Sequence, residues 1–203
     1  KYYSTSPYAF CNNNPVNFVD PDGRRFYKSI RGNNIIISAT YYTKDASSTK
    51  SALQAVSFWN DRKSDTFISK NGERYLITYK LSVIEGGRPN SNSNTYIVND
   101  NDVPSNATGV TENKTRIVVR KAYSINFPGS DNPSTTGAHE IGHTLGMSDV
   151  TKGIMSKSQD NNRTNEVPQE NIQQMMASEK GKTDFWTRML NLIYKFYEQE
   201  TKN

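Results

Sequence analysis

Both histidines of this 203-residue chain lie in one eleven-residue string, HEIGHTLGMSD, at residues 139–149. If the string is helical, His139 and His143 are four residues apart and therefore share one face of the helix. Two imidazoles at this spacing can bind one metal ion. Glu140 lies beside them, where its carboxylate can accept a proton from a metal-bound water. The string therefore predicts a helix that carries a metal site.

The second half of the string predicts how the chain leaves this helix. Gly146 can adopt the left-handed conformation that ends a helix and lets the chain double back. Asp149, three residues further on, is then placed to supply a carboxylate oxygen as a third ligand. Three protein ligands leave a fourth position on a tetrahedral metal for water.

The pattern HExxHxxGxxD resembles the active-site sequence of the metzincin clan of zinc peptidases. The clan also has a methionine turn that packs beneath the metal, and Met155 stands six residues after Asp149, in the sequence GIMS. The resemblance implies an α+β fold of the zincin or metzincin type, with a mixed twisted sheet, an active-site helix and C-terminal helices. It also implies Zn²⁺ as the cofactor, bound by His139, His143 and Asp149.

The same resemblance implies a zinc metallopeptidase, here an endopeptidase acting on a protein or peptide substrate. Zn²⁺ lowers the pKa of bound water toward about 7 and polarises the scissile carbonyl. Glu140 is then the general base that accepts the proton of that water and passes it to the leaving amine. Substrate is expected to lie extended along an edge strand within the segment from Asn94 to Tyr123.

Two positions depart from the commonest pattern of the clan. Most members have a third histidine where this chain has Asp149, and a carboxylate makes the metal a weaker Lewis acid with a less acidic water. Some members place a tyrosine ligand two residues after the methionine, where this chain has Lys157. Another zincin clan takes its third ligand from a glutamate on a later helix, which leaves Glu166 and Glu170 as alternatives. The spacing from Gly146 to Asp149 favours Asp149.

The beginning of the chain carries a second resemblance. The stretch SPYAFCNNNPVNFVDPDG, at residues 6–23, is rich in the turn formers Asn, Pro, Asp and Gly. It resembles the end of the core domain of RHS-repeat (YD-repeat) proteins, with their NNPVNxxDPxG hallmark. These are large bacterial shells whose variable tail is in many cases a toxin or effector. The resemblance implies an RHS-core remnant at residues 1–25, a metallopeptidase domain at residues 26–203, and a larger RHS protein that is secreted or displayed at the cell surface.

The composition limits other classes of function. The formal net charge is +5 and the sequence pI is about 9.2, but the basic residues are scattered, so no nucleic-acid partner is expected. The absence of an apolar run of about eighteen residues predicts no transmembrane segment, and no secretory signal opens the chain. The one cysteine, Cys11, allows no internal disulfide.

Hydrophobic periodicity places the motif among alternating strands and helices. Strands are predicted at 33–43, 75–84, 95–98 and 115–123. A helix is predicted from Asp45, with Ala52, Leu53, Val56 and Trp59 on its apolar face. The motif helix is predicted to start at Asn132–Pro133, and further helices to start near Pro168 and Thr183. Residues 86–114, apart from the short strand, are expected to form a long polar loop.

Three hypotheses of function follow. The first is an active zinc endopeptidase that forms the effector or toxin tail of an RHS protein. The second is a catalytically silent binding module that keeps the zinc site. The third is a non-proteolytic RHS toxin, such as a nuclease, although no catalytic cluster for one is evident outside the motif.

Overall fold

The computed structural model describes residues 26–89, 93–157 and 163–178, and the backbone of 181–183. This part of the chain forms one mixed sheet and three α-helices, which confirms the α+β class. The helices are α1 (Ala46–Asn60), α2 (Thr136–Thr144) and α3 (Gln169–Ala177). The strands are β1 (Phe26–Arg31), β2 (Asn34–Thr43), β3 (Thr66–Ile68), β4 (Arg74–Glu85), β5 (Asn94–Val98), β6 (Gly109–Glu112), β7 (Arg116–Val119) and β8 (Gly181–Thr183).

The sheet is built around β2. Its strand order is β3-β4-β2-β5-β7-β6, and β2 pairs with β4 in parallel along all ten of its residues. The other edge of β2 is shared: its first half pairs with β1 antiparallel, and its end pairs with β5 in parallel. At the far side of the sheet, β6 forms an antiparallel hairpin with β7. No strand of the described chain pairs with the outer edge of β6.

Helix α1 begins where the sequence predicts, at an aspartate. Asp45 Oδ1 accepts a hydrogen bond from the backbone N–H of Ser48 at 2.9 Å, which satisfies one of the free amides of the first turn. Ala52, Val56 and Trp59 are buried against the sheet. Leu53, predicted on the same face, is 53% exposed, because it lies 100° further around the helix than Ala52.

Trp59 joins α1 to α2. Its side chain is fully buried, its ring lies 5.2 Å from the ring of Tyr79 on β4, and its Nε1 donates to the backbone carbonyl of Ala138 at 3.0 Å. The alternating residues Ile77, Tyr79 and Leu81 of β4 are buried on this side of the sheet. The core therefore lies between the sheet and the two helices, and it fixes the position of α2.

Several predicted boundaries differ in the structure. The segment expected to be a long polar loop contains strand β6. The start predicted at Asn132–Pro133 is wrong: α2 begins at Thr136, and Pro133 instead forms an isolated β-bridge with Asn126. Residues 1–25 and the body of the helix predicted from Thr183 lie outside the described residues, while the backbone of 181–183 pairs with β1 as β8.

None of the helices in the described ranges is long and apolar enough to cross a membrane.

Candidate metal centre

Helix α2 presents both histidines to one side. Their rings are in edge contact, with centroids 4.7 Å apart. The helix lies close to its neighbours because two of its residues lack a side chain. A Cβ on Gly137 would overlap the hydroxyl of Tyr96, and one on Gly142 would overlap the sulfur of Met155. These glycines let α2 sit deep in the fold, so that His139 is only 5% exposed.

The turn after α2 follows the predicted geometry. Gly146 has φ of 91°, in the left-handed region that favours glycine. Its N–H donates to the carbonyl of His143 at 3.1 Å, and the N–H of Met147 donates to the carbonyl of Gly142 at 3.0 Å. This pair of bonds is a Schellman motif, which reverses the chain direction at the end of a helix. The reversal brings Asp149 back toward the histidines.

Three potential ligand atoms converge at this point. The Nε2 atoms of His139 and His143 are 3.2 Å apart, and Oδ1 of Asp149 lies 3.4 Å from the first and 3.3 Å from the second. In a tetrahedral site with bonds of 2.0–2.1 Å, neighbouring ligand atoms are about 3.3 Å apart. The three separations therefore fit a single small metal ion.

The hydrogen bonds of the two rings orient their lone pairs toward that point. Nδ1 of His139 lies 2.9 Å from the carbonyl oxygen of Ile154, and Nδ1 of His143 lies 3.1 Å from that of Met147. A carbonyl oxygen can only accept, so each Nδ1 carries the proton and each neutral ring leaves Nε2 unprotonated. Such bonds to the second ring nitrogen are typical of metal-binding histidines. Burial, with the nearby charge of Arg163, lowers the pKa of His139 to about 3, which keeps this ring neutral.

Asp149 offers one oxygen to the site. Oδ1 is buried and has no hydrogen-bond donor among the described residues. Oδ2 lies 3.7 Å from Nζ of Lys157, whose side chain is 80% exposed. A buried carboxylate oxygen beside two imidazole lone pairs is electrostatically unfavourable unless a cation lies between them. The arrangement is therefore compatible with a metal ion bound through one oxygen of Asp149.

Met155 lies under α2. It is fully buried, its sulfur contacts Gly142, and its carbonyl accepts from the N–H of Val150 at 3.0 Å. The chain from Asp149 to Met155 is thus held beneath the helix that carries the histidines. The assignment of Met155 to a methionine turn stays a prediction.

Glu140 lies beside His139, His143 and Asp149, which we call the ligand group. It is only 5% exposed. Its Oε2 accepts a hydrogen bond from the hydroxyl of Thr111 on β6 at 2.7 Å. Burial raises the pKa of Glu140, and the Thr111 bond and the charge of Arg163 oppose that shift. Glu140 is therefore a buried carboxyl group next to the ligand group but not part of it.

An open cleft of about 760 Å³ lies over these residues. One wall is formed by residues 106–111, which include the first part of β6, and the ligand group lines the floor. Arg163 also lines the cleft, and its Nε and Nη2 donate to the carbonyl of Ser156 at 2.9 and 2.6 Å. The sequence did not indicate Thr111 or Arg163, because each meets the site through contacts between segments distant in sequence.

The alternative third ligands do not join the group. Glu166 and Glu170 are both exposed, and the only His/Cys/Asp/Glu metal group found among the described residues is His139, His143 and Asp149.

No protein-family model, no curated protein and no solved structure matches the chain. The candidate function therefore depends on the geometry of the site itself.

Proposed function

We propose that this chain is a zinc-dependent peptidase of the zincin or metzincin type. The observation that carries the proposal is the convergence of two imidazole lone pairs and one buried carboxylate oxygen at separations of 3.2–3.4 Å. Two nitrogen ligands and one oxygen ligand in tetrahedral spacing are typical of catalytic zinc, which keeps its fourth position open. Bound Zn²⁺ would supply Lewis acidity and a water of lowered pKa.

Glu140 supports hydrolysis rather than metal storage. Burial raises the pKa of Glu140, which makes its carboxylate a stronger proton acceptor than an exposed glutamate. Its position in the sequence, next to the first histidine ligand, and its hydrogen bond to Thr111 keep it at the edge of the metal site. In the proposed reaction Glu140 takes the proton of the attacking water and delivers it to the leaving amine.

The cleft supports a peptide as the substrate. Strand β6 forms its wall, and within the described chain no strand pairs with its outer edge. An extended peptide can add to such an edge through backbone hydrogen bonds. Strand β6 lies within the segment 94–123 predicted for substrate binding, and a scissile bond held along it would lie over the ligand group.

The context of the peptidase is also a proposal. The RHS-like sequence at residues 1–25 supports a tail of a larger bacterial RHS protein, delivered outside the producing cell as an effector or toxin. In this setting residues 26–203 are the peptidase domain.

The proposal is tested by measuring zinc content and peptide cleavage in parallel. We expect about one zinc per chain in the wild type and in Glu140→Gln, because Glu140 is not a ligand. Cleavage of a peptide library is expected to fall by at least about 100-fold in Glu140→Gln. The matched control is Glu166→Gln, which removes the same charge from an exposed residue and should leave cleavage unchanged.

Other outcomes separate the other two hypotheses. A chain that binds zinc but cleaves no peptide would be the silent binding module. Nuclease activity that survives His143→Ala would identify a non-proteolytic toxin. A purified chain that binds no zinc even after supplementation would contradict the metal site itself.

A further inference from the structure

The walls of the cleft carry more positive than negative charge. Three cationic side chains line it, namely Lys114, Lys157 and Arg163, and its two carboxylates are Glu140 and Asp149. Both carboxylates already have partners in the site, through Thr111 for Glu140 and through the ligand group for Asp149. Of the three cations, Lys157 lies 3.7 Å from Oδ2 of Asp149, whereas Lys114 and Arg163 form no ion pair within the described residues, so cationic groups of the lining remain to meet a substrate.

Arg163 is held in place at one side of the cleft. Two of its nitrogens donate to the carbonyl of Ser156, and a third, Nη1, is enclosed and has no hydrogen-bond partner in the described part of the chain. Burial lowers the pKa of Arg163, and the charges of the nearby Glu140 and Asp149 oppose that shift. An enclosed cation acts through a lower effective dielectric than a solvated surface charge, so it favours an anion that enters the cleft.

Lys114 occupies a strained position at the rim. It follows Asn113 in the turn between β6 and β7. The φ of Asn113 is 49° and that of Lys114 is 60°. The turn is closed by a hydrogen bond of 3.1 Å from the N–H of Thr115 to the carbonyl of Glu112. Tight hairpin turns of this kind favour glycine at the second left-handed position. A non-glycine residue in this unfavourable backbone conformation, with its side chain lining the cleft, marks a position where backbone strain can serve a function.

We propose that the cleft selects acidic peptides, whose carboxylate groups are bound by the cationic rim of Lys114 and Lys157 and attracted by Arg163. This inference rests on the proposed peptidase function and adds the substrate class. The carboxylate can come from a Glu or Asp side chain near the scissile bond or from a free C-terminus, and the two sources share the same chemistry.

The test measures peptide binding to the full chain, loaded with zinc and carrying Glu140→Gln so that no turnover occurs. Fluorescence anisotropy compares four labelled peptides of equal length. Three are C-terminally amidated and carry Glu, Gln or Lys at the variable positions, and the fourth is the Gln peptide with a free C-terminal carboxylate. We expect at least tenfold tighter binding of the Glu peptide, or of the free-acid peptide, than of the amidated Gln and Lys peptides. This preference should weaken as salt is raised.

Substitutions of lysine residues test whether the preference for carboxylate peptides arises in the cleft. Lys114→Glu should abolish the preference for carboxylate peptides. Lys114→Gly should reduce it without loss of folding, because glycine suits the turn. Lys80→Glu is the matched control: Lys80 is exposed on β4, four strands away from β6 in the sheet order, and its charge reversal should leave the preference unchanged.

The outcomes distinguish this inference from the proposed function. Equal binding of all four peptides, or tighter binding of the Lys peptide, would overturn acidic selection. Cleavage of acidic and neutral peptides at equal rates by the wild type would also overturn it, while the peptidase would stand. Selective binding of carboxylate peptides with no cleavage of any peptide would support the charge selection and overturn the peptidase.

Discussion

The hydroxyl of Thr111 on β6 donates a hydrogen bond of 2.7 Å to Oε2 of Glu140 on α2. The same hydroxyl lies 3.0 Å from the backbone carbonyl of Glu140. Gly109, two residues earlier on β6, makes this approach possible, since a Cβ there would lie 2.8 Å from Thr136. One oxygen of the proposed general base is thereby fixed by the strand along which we expect the substrate to bind.

Removal of this hydroxyl should impair turnover more than binding. Thr111→Val keeps the branched shape but loses the hydrogen bond, so the Glu140 carboxylate loses a fixed orientation. We expect kcat to fall about 10-fold or more, with KM and zinc content within about twofold of the wild type. Thr111→Ser, which keeps the hydroxyl, should restore most of kcat. Wild-type kcat in Thr111→Val would show that the bond has no role in positioning Glu140.

The loss of stability when Met155 is replaced should depend on the volume of the new side chain. Met155 is fully buried against Gly142 of α2, so Met155→Leu should cost less than about 1.5 kcal/mol in the free energy of unfolding, and Met155→Ala about 2–5 kcal/mol. Urea unfolding of the two variants measures the difference. If Met155→Ala were as stable as the wild type, the packing beneath the metal site would be looser than the structure shows.

The metal-free protein should lose stability as the pH falls below about 6.5. The pKa of His139 is about 3 in the folded chain and 6.5 when unperturbed. In this pH range the unfolded state therefore binds a proton that the folded state does not bind. The free energy of unfolding should therefore fall by about 2 kcal/mol from this residue between pH 7 and pH 5. The raised pKa of Glu140 acts in the opposite direction, because there the folded state binds the proton first.

Comparison with His139→Gln separates the contribution of His139 to this pH dependence from that of Glu140. Urea unfolding at pH 7, 6 and 5 should show a smaller loss of stability in the variant, by about 2 kcal/mol over this range. Parallel pH profiles in the two proteins would mean that His139 is not held neutral by burial.

The turn that carries Lys114 should become more stable with glycine. Because Lys114 has φ of 60°, Lys114→Gly should raise the free energy of unfolding by up to about 1 kcal/mol. Lys114→Ala, which keeps a Cβ, should give no such gain. A loss of stability in Lys114→Gly would show that the lysine side chain contributes contacts that outweigh the backbone strain.

The parts of the site that depend on neighbours in sequence were predictable. The four-residue spacing of His139 and His143, and a glycine that ends their helix, determine local geometry that the structure confirms. The N-cap of α1 at Asp45 is likewise a local signal, in which a side chain bonds an amide three residues away. The alternation of buried residues along β4 reflects the two-residue period of any strand with one buried face.

The parts that depend on distant contacts were not predictable. Strand β6 has one aliphatic residue, Val110, and is a strand because it pairs with β7 and lies against α2. The bond from Thr111 to Glu140 joins residues 29 positions apart. Arg163 reaches the cleft because its guanidinium is held by the carbonyl of Ser156. Asn132–Pro133 had a helix-start signal, but the N–H of Ser134 bonds the carbonyl of Ile125 instead, which delays the helix.

The central claim is that His139, His143 and Asp149 bind one zinc ion together. It is tested most directly by anomalous difference maps from crystals of the zinc-supplemented chain, measured on both sides of the zinc absorption edge. We predict a single zinc peak at about 2.0–2.2 Å from Nε2 of both histidines and from Oδ1 of Asp149. The absence of a peak at this position, or a peak whose carboxylate ligand is Glu166 or Glu170, would contradict the claim.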